Sequence, residues 1–511
     1  MFPQRGLISV EIQKHHSLSQ LLSGFPVQNI LGTFSRQVSS VAFDSRKADE
    51  MSLFVAIHGT RQDGNQFIRN AVSRGAVAFI TEEPLEHLHG LGLVSSRVTA
   101  ICVDDARHAL SWVSARFYNH PSHRLKLVGI TGTNGKTTLT YLLEALFREH
   151  GETTGVIGTI NYRYGSHVFP APVTTPESLD LNHMLDEMAR EKVKRCFLEV
   201  SSHALALKRV HEMKFDIGVF TNLSRDHLDF HGTMENYRDA KLDLFRKNDV
   251  ARRVVNIDDP IGRSLMKEFP ADTLSTGIDG SAEIRAENLK LTENGSRFLL
   301  KTPSGDLDLQ TPLLGRHNVY NLLSAAATGL LQGLSLSDID RGLRSIRNIP
   351  GRFERLEMGQ DFVVAVDYAH TGDALENALK AARTVTRNRL IAVFGCGGDR
   401  DRGKRKDMGR IGTDLADYAV ITSDNPRSEN PQSIINEILQ GIGPDKKQGI
   451  DFDVYVQRRE AIERAIGAAR PGDMVLIAGK GHEDYQILNT GTIHFDDREV
   501  VLECLKKEMK R

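Results

Sequence analysis

The stretch Val128–Thr138, VGITGTNGKTT, constrains this chain more than any other. An apolar run from Leu125 to Ile130 reads as a buried strand. A glycine-rich turn follows, and Lys136, Thr137 and Thr138 lead into the helical pattern YLLEALFREH. Strand, loop and helix in that order are the setting of a phosphate-binding loop. Gly132 and Gly135 let backbone N–H groups of the Thr133–Asn134 turn approach an anion, and the helix N-terminus adds its partial positive charge. Lys136 is placed to reach the β- and γ-phosphates of a nucleotide, and Thr137 to ligate Mg²⁺. The strict pattern GxxxxGK[ST] asks for glycine where Ile130 stands. An ordinary Gly/Thr turn is the alternative, and Gly-Lys-Thr-Thr at the start of a helix weighs against it.

A chain of 511 residues exceeds one hydrophobic core, so about three domains are expected. Sixty-five Lys and Arg against 66 Asp and Glu leave a net charge of −1. That balance points away from nucleic acid and from anionic membrane surfaces as partners. The four cysteines, Cys102, Cys196, Cys396 and Cys504, lack CxxC spacing, which disfavours a zinc site or a disulfide framework. The N-terminal MFPQRGLISVEIQKHH has no apolar signal core, and no run of about eighteen apolar residues is present to span a membrane. A reducing cytoplasm is the expected compartment, and a monomer the expected state.

Short strands at SVAFDSR, LFVAIHG, AVAFITE and TAICVDD, with a helix at NQFIRNAVSRG, predict a small α/β domain over 1–105. DDARHALSWVSARFY reads as a helix leading into a second domain, 106–349, which the phosphate loop opens. Strands RCFLEV, DIGVFTNL and RRVVNID, separated by helical stretches, predict a parallel sheet covered by helices. Residues 283–311 read as an antiparallel interlude with turns at Asn294-Gly295 and Ser304-Gly305. Ile349-Pro350-Gly351 breaks the pattern, and strands FVVAVDYA, RLIAVFG, YAVITSD, FDVYV and DMVLIAG predict a third, Rossmann-like domain over 350–511.

Polar residues collect where these strands end, and in a parallel sheet such ends face one crevice. RCFLEV ends in Glu199, an oxygen ligand suited to Mg²⁺, followed by Ser201. DIGVFTNL runs on to His227, either a further ligand or a histidine satisfied in its loop. In the third domain, Gly395–Arg400 hints at dinucleotide binding, but Asp399 breaks the fingerprint. RGKRK at 402–406 reads either as a solvated charged face or as part of the neighbouring loop's site. Asp424-Asn425-Pro426-Arg427 and Gly479–Glu483 end two more strands. Arg400 and Arg427 against Asp424 and Glu483 suit a zwitterionic amino acid, with guanidinium on carboxylate and acid on ammonium.

Taken together, GTNGKTT, the Glu199 strand end, NLSRDHLD, GRHN, GRFE, DYAH, DNPR and GKGHE resemble the Mur ligase family, in its order and over nearly the whole chain. The type resembled adds the third amino acid to UDP-N-acetylmuramoyl-L-alanyl-D-glutamate. The resemblance implies an α/β fold in three domains: a small N-terminal domain for the UDP-substrate, a central parallel-sheet P-loop ATPase domain and a C-terminal Rossmann-like domain. It implies ATP as co-substrate, held by Gly132–Thr138, Asn318, Asn321 and Arg352. Mg²⁺ would be held by Thr137, Glu199, His227 and Lys241, the last carrying a carbamate. Lys136, Glu199, His227, Lys241, Asp367 and His370 would be the catalytic set. Ser45 and the loop from Thr60 would contact the uridine end, and Thr174, Thr175, Ser201 and Arg209 the diphosphate and muramoyl peptide.

DNPR resembles the signature for meso-diaminopimelate rather than L-lysine, with Arg400, Asp424, Asn425, Pro426, Arg427, Gly479 and Glu483 as its pocket. A second carboxylate on the amino acid gives Arg427 and Arg400 something to bind, and leaving either charge unpaired costs several kcal/mol. The family carries proline after DYAHT where this chain has Gly372, which predicts a looser turn there. The expected activity is formation of an amide through an acyl phosphate. The L-lysine-adding homologue, the D-alanyl-D-alanine-adding enzyme, folylpolyglutamate synthetase and a nucleotide-gated binding protein without turnover are the alternatives.

Overall fold

The computed structural model describes residues 15–59, 62–84, 86, 97–292 and 295–508. Thr60, Asn294 and the N-terminal stretch up to residue 14, on which expectations fell, lie outside the described residues. The chain gathers into two compact units, one of 1–129, 153–218 and 240–251, the other of 130–152, 219–239 and 252–511.

In the first unit a five-stranded sheet has the order Asn29–Leu31, Thr99–Cys102, Ala78–Thr81, Ser52–Val55, Ser40–Ala42. Only the Asn29–Leu31 edge is antiparallel; the rest pair in parallel, for example Leu53 with Ala78 and Ala78 with Thr99. The three inner strands are buried at every position, as strands covered on both faces must be. Helix Ala106–Phe117 lays Ala109, Leu110 and Val113 on one face, and Ile68 and Ala71 of helix Ile68–Ser73 lie on the other. The Asp105 carboxylate accepts from His108 N at 2.8 Å and caps the first of these helices. The same unit pairs Arg195–Glu199 in parallel with Thr154–Ile157, which the hairpin Asn161–Tyr164/His167–Pro170 extends. Its two-residue turn is Gly165-Ser166, a hairpin signal that the sequence reading did not use.

The second unit holds a six-stranded sheet in the order Glu354–Arg355, Val363–Asp367, Met474–Ala478, Leu390–Phe394, Tyr418–Thr422, Phe452–Tyr455. All but the first strand run parallel. Consecutive strands Val363–Asp367 and Leu390–Phe394 are separated by the late strand Met474–Ala478, so the winding changes direction at the centre of the sheet. The loops that follow these central strands open outside their carboxyl ends, the place where such sheets bind ligands. The antiparallel interlude appears as expected: Ile284–Thr292, Gly295–Thr302 and Gly305–Thr311 form a meander beside Thr273–Gly277. Helix Lys136–Glu149 packs against Arg316–Leu331 and Leu336–Ser345. A Cβ on Gly342 would come within 2.7 Å of Leu146 Cα, so only glycine permits this close helix crossing.

The cysteines are free and buried. Among the described residues, no helix is long and apolar enough to cross a membrane.

Candidate active site

The phosphate loop is shaped by contacts that exclude larger residues. Gly132 and Gly135 have φ of 145° and 89°. A Cβ on Gly132 would lie 1.9 Å from Thr221 Oγ1, and one on Gly135 2.3 Å from Asn321 Oδ1. Thr133 N donates to Asn222 O (2.9 Å) and Asn134 N to Asn222 Oδ1 (3.0 Å), while the Thr133 hydroxyl meets Tyr237 OH at 3.1 Å. Lys136 Nζ reaches back to the carbonyls of Gly132 and Thr133, both at 2.8 Å, within the cradle that phosphate oxygens would share. Thr137 and Thr138 are buried at the helix start.

Residues from far along the sequence arrive at this loop. Arg352 Nη2 donates to Thr137 Oγ1 at 3.2 Å, and its guanidinium lies 4.5 Å from the Tyr368 ring centre. The Arg352 turn is set by Asp367, whose carboxylate accepts from Phe353 N (2.7 Å) and Ala369 N (2.8 Å). Burial raises the Asp367 pKa, with the Arg352 charge opposing. Asn134 Nδ2 and Ser224 Oγ both donate to Asp373 Oδ2, at 2.7 and 3.1 Å. Asn321 donates to Asn318 Oδ1 at 3.2 Å, and Asn318 to Leu314 O at 2.8 Å. Gly372 begins helix Gly372–Val385, and the Thr371 hydroxyl caps the turn by accepting from Ala374 N at 3.2 Å.

His227 and His370 are joined through an aspartate that the motif reading passed over. Asp226 Oδ2 lies 3.4 Å from His227 Nε2 and 3.9 Å from His370 Nε2. Burial pushes the Asp226 carboxyl up, yet His227, His370 and Lys404 outweigh it and pull it down to about 2. His370 Nδ1 sits 2.9 Å from Tyr368 O and so carries the ring proton; burial, helped by Lys404, holds its pKa below the usual value.

The residues expected to bind the amino acid lie on loops of the six-stranded sheet. Asn425 Nδ2 donates to Glu483 Oε2 (2.8 Å), and Lys480 Nζ donates to the same oxygen (3.0 Å) and to Asn425 Oδ1 (3.3 Å). Gly479 at φ 120° leaves no room for a Cβ, which would stand 2.5 Å from Asp424 Oδ2. Asp424 is held below the usual carboxylate range by Lys480 and Arg458 against the upward push of burial, while burial raises Glu483. Arg427 Nη1 donates to Gly398 O (2.8 Å) and Asn425 O (3.3 Å). Arg400 Nη1 donates to Asp399 O at 2.9 Å. Asp399 serves the loop, accepting from Ser428 Oγ at 2.7 Å, as a residue of this fold and not of a dinucleotide fingerprint. Beneath the pocket, the fully buried Arg458 grips Asp497 at 2.7 and 2.8 Å and donates to Ser423 O and Ala478 O.

The first unit gathers a second set. Glu199, 1 % exposed, accepts from Thr159 N (3.0 Å) and Thr159 Oγ1 (2.9 Å), and Thr159 Oγ1 meets Thr174 Oγ1 at 3.1 Å. Thr175 Oγ1 donates to Glu199 O (2.7 Å) and Ser201 Oγ (3.3 Å), and Arg209 donates to Thr175 O (2.9 Å) and Glu177 Oε2 (3.2 Å). Thr174, Thr175, Ser201, Arg209 and Glu199 therefore form one network. Lys241, on helix Met234–Arg246, is 2 % exposed, which an ordinary helix lysine is not. Ser45 lines a cavity of about 960 Å³ with Phe43, Gly59, Gln62 and Phe67.

Sequence reasoning missed Asp226, Tyr368, Asp373, Lys480 and Arg458. The first four lie inside or next to recognised motifs, so adjacency was the available signal. Arg458 stands at a helix start with no local mark.

Comparison with known proteins places these features in a family context. Residues 37–118 match the model described as Mur ligase family, catalytic domain; 130–329 match Mur ligase middle domain; 351–481 match Mur ligase, glutamate ligase domain. A UDP-N-acetylmuramoyl-L-alanyl-D-glutamate--2,6-diaminopimelate ligase of Clostridium acetobutylicum is 43% identical over 492 residues, 96% of this chain and 99% of that protein. The ligase of the same name from Geobacter metallireducens is 44% identical over 495 residues, 93% of this chain and 96% of its own length. A solved structure of a 2,6-diaminopimelate ligase superposes with a TM-score of 0.68 at 31% identity, covering 97% of this chain and all of the other. The Thermotoga maritima MurF ligase solved with ADP shares the fold, at a TM-score of 0.61 and 18% identity over 92% of this chain and 98% of its own.

Proposed function

Because the chain belongs to the Mur ligase family, we propose that it is an ATP-dependent amide ligase of peptidoglycan precursor synthesis. It joins meso-diaminopimelate to the D-glutamyl carboxylate of UDP-N-acetylmuramoyl-L-alanyl-D-glutamate. The observation that carries this reading is the Asp424–Arg427 loop, where a half-buried guanidinium stands near a buried carboxylate pair. One sign of charge suits the amino acid's distal carboxylate and the other its ammonium. L-lysine has no distal carboxylate to pair with Arg427.

In the reaction, the bond from the γ-phosphorus of ATP to its bridging oxygen breaks as a carboxylate oxygen of D-glutamate bonds to that phosphorus. The amine of diaminopimelate then attacks the acyl carbon, the C–N bond forms, and phosphate leaves. The amides of Gly132–Thr138 and the Lys136 ammonium hold the nucleotide phosphates, with Asn318 and Asn321 beside them. Arg352, fixed by Asp367, adds positive charge at Thr137. His370 faces Asp226, and Asp226 orients His227 by accepting from its backbone N–H at 2.9 Å. Water must be excluded while the acyl phosphate exists, because it hydrolyses readily.

Mg²⁺ would be held in the second unit by the Thr137 hydroxyl and His227, and in the first by the Glu199 carboxylate and a carbamate on Lys241, hard oxygen ligands apart from the His227 nitrogen. Bound there, the ion supplies charge neutralisation on the phosphates. Thr174, Thr175, Ser201 and Arg209 bind the muramoyl peptide and diphosphate, and the Ser45 cavity takes the uridine end. Working boundaries are 1–105, 106–349 and 350–511, in a cytoplasmic monomer.

Purified protein with ATP, Mg²⁺ and the UDP-dipeptide should release phosphate only when meso-diaminopimelate is added. No amino-acid-dependent release refutes the ligase reading, and equal rates with L-lysine refute the specificity.

A further inference from the structure

Helices Arg458–Ala468 and Asp497–Glu508 cover one face of the six-stranded sheet, with Ile462 and Val501 in one core with Val393, Val420 and Ile477. Their first residues, Arg458 and Asp497, form a fully buried ion pair at the carboxyl end of that sheet. An apolar pair of the same shape would stabilise the fold at least as well. The bonds of this pair therefore have to be read for what they hold in place.

Arg458 Nε and Nη2 donate to the two Asp497 oxygens at 2.8 and 2.7 Å. Its Nη1 donates to Ser423 O at 3.3 Å, and Nη2 also donates to Ala478 O at 3.0 Å. These carbonyls stand immediately before Asp424 and Gly479, at the roots of two loops. The strands that end there, Tyr418–Thr422 and Met474–Ala478, are not neighbours, because Leu390–Phe394 runs between them. That middle strand makes its last pairs at Phe394 with Ile421 and Val393 with Ile477. Beyond them the outer strands run on without a shared partner, and the guanidinium spans the gap. A Cβ on Gly479 would stand 3.7 Å from Arg458 Nη2 and 2.5 Å from Asp424 Oδ2, so both roots close directly on the clamp. Further out, Asn425 Nδ2 joins the loops again by donating to Glu483 Oε2 at 2.8 Å.

We propose that Arg458 is a positioning residue for the amino-acid site, fixing the spacing of Asp424 and Asn425 against Gly479 and Glu483 by tying both loop roots to Asp497. This rests on the role given to those loops under the proposed function. Arg458 itself touches no substrate. The task suits a guanidinium, whose planar fork serves a carboxylate along one edge and carbonyls with its remaining donors. Because the carbonyls belong to the backbone, the clamp sets where each loop starts. Groups that grip a small zwitterion must keep their places to within about 0.5 Å, which unclamped roots would not allow. The same charge favours the form of Asp424 that an ammonium requires: burial pushes its carboxyl up, while Lys480 and then Arg458 hold it down.

The test compares the full-length protein with Arg458→Lys and with Arg458→Met/Asp497→Leu, which leaves no unpaired charge in the interior. In turnover, the KM for meso-diaminopimelate should rise about tenfold or more in the double variant. Arg458→Lys, which keeps the charge and loses the fork, should fall between it and the wild type. The KM values for ATP and the UDP-dipeptide should stay within about twofold in both variants. A purely structural role would lower kcat with the folded fraction and leave all three KM values unchanged, and that result overturns the proposal. An equal rise in all three overturns it as well. Hydrogen–deuterium exchange reads the clamp without substrate: residues 424–427 and 479–483 should exchange faster in the double variant, with 474–477 unchanged. Unaltered exchange in both loops overturns the proposal. A wild type that fails to release phosphate with meso-diaminopimelate, while the double variant shows the faster exchange, overturns the substrate reading and supports the clamp.

Discussion

Replacing Arg427 with asparagine tests the amino-acid pocket at its most selective point. Arg427 sits in the left-handed region at φ 53°, a conformation asparagine tolerates, so the loop can keep its path. Its Nη1 is spent on two loop carbonyls at 2.8 and 3.3 Å, and its Nε and Nη2 have no partner among the described residues. One edge of the fork is tied down and the other is offered to a ligand. Burial lowers the Arg427 pKa, and the like charge of Arg400 lowers it further, so an arriving carboxylate relieves a strained cation. A charge-assisted hydrogen bond contributes about 1.5–3 kcal/mol, so two of them lost at one carboxylate cost about 3 kcal/mol at the least. At about 1.4 kcal/mol per decade, the KM for meso-diaminopimelate should rise 100-fold or more. Phosphate release at saturating ATP and UDP-dipeptide measures it, with the KM for ATP expected within twofold. Arg427→Lys should fall between, keeping charge but losing the fork. A diaminopimelate KM within threefold of the wild type refutes the assignment, as does an equal rise in the KM for ATP.

Three further outcomes follow from the same geometry. Arg458→Met leaves the Asp497 carboxylate buried and unpaired and should cost about 3–5 kcal/mol in urea unfolding, with much of it regained in Arg458→Met/Asp497→Leu; a loss under about 1 kcal/mol contradicts the pairing. Gly479→Ala forces a Cβ against Asp424 Oδ2 at φ 120°, which should destabilise by about 2 kcal/mol and weaken amino-acid binding while nucleotide affinity holds. Burial drops the His317 pKa from 6.5 to about 4. The unfolded chain then binds the extra proton between those values. The contribution is full above pH 6.5 and declines as pH falls toward 4, by about 2–3 kcal/mol given a partly exposed ring. His317→Gln should flatten that slope in pH-dependent melting, and an unchanged slope refutes it.

Elements with strong periodic or apolar patterns were legible in advance. The parallel strands of the six-stranded sheet appear where buried apolar runs end in Gly or Asp, because a strand covered on both faces has no polar positions to blur it. The hairpins Asn161–Tyr164/His167–Pro170 and Tyr485–Leu488/Gly491–His494 were not, since their strands are four residues long and lack a long apolar run. At Gly372, where the family's proline is missing, the helix start carries a Thr371 side-chain cap that the sequence reading did not anticipate.

What the linear sequence determined was the inventory of chemistry: a phosphate loop, acids and histidines at strand ends, and a pocket of mixed charge. Each is recognisable because its residues are neighbours along the chain, where spacing alone constrains geometry. Tertiary structure decided which of them meet. Arg352 reaches Thr137 across 215 positions, and Asp226 stands between His227 and His370. Folding also sorted the charges. In RGKRK, four cations around a glycine were divided between two buried residues, Lys404 and Arg405, and an exposed remainder. Helix phase against the packed sheet made that choice, and no local feature of the run announces it.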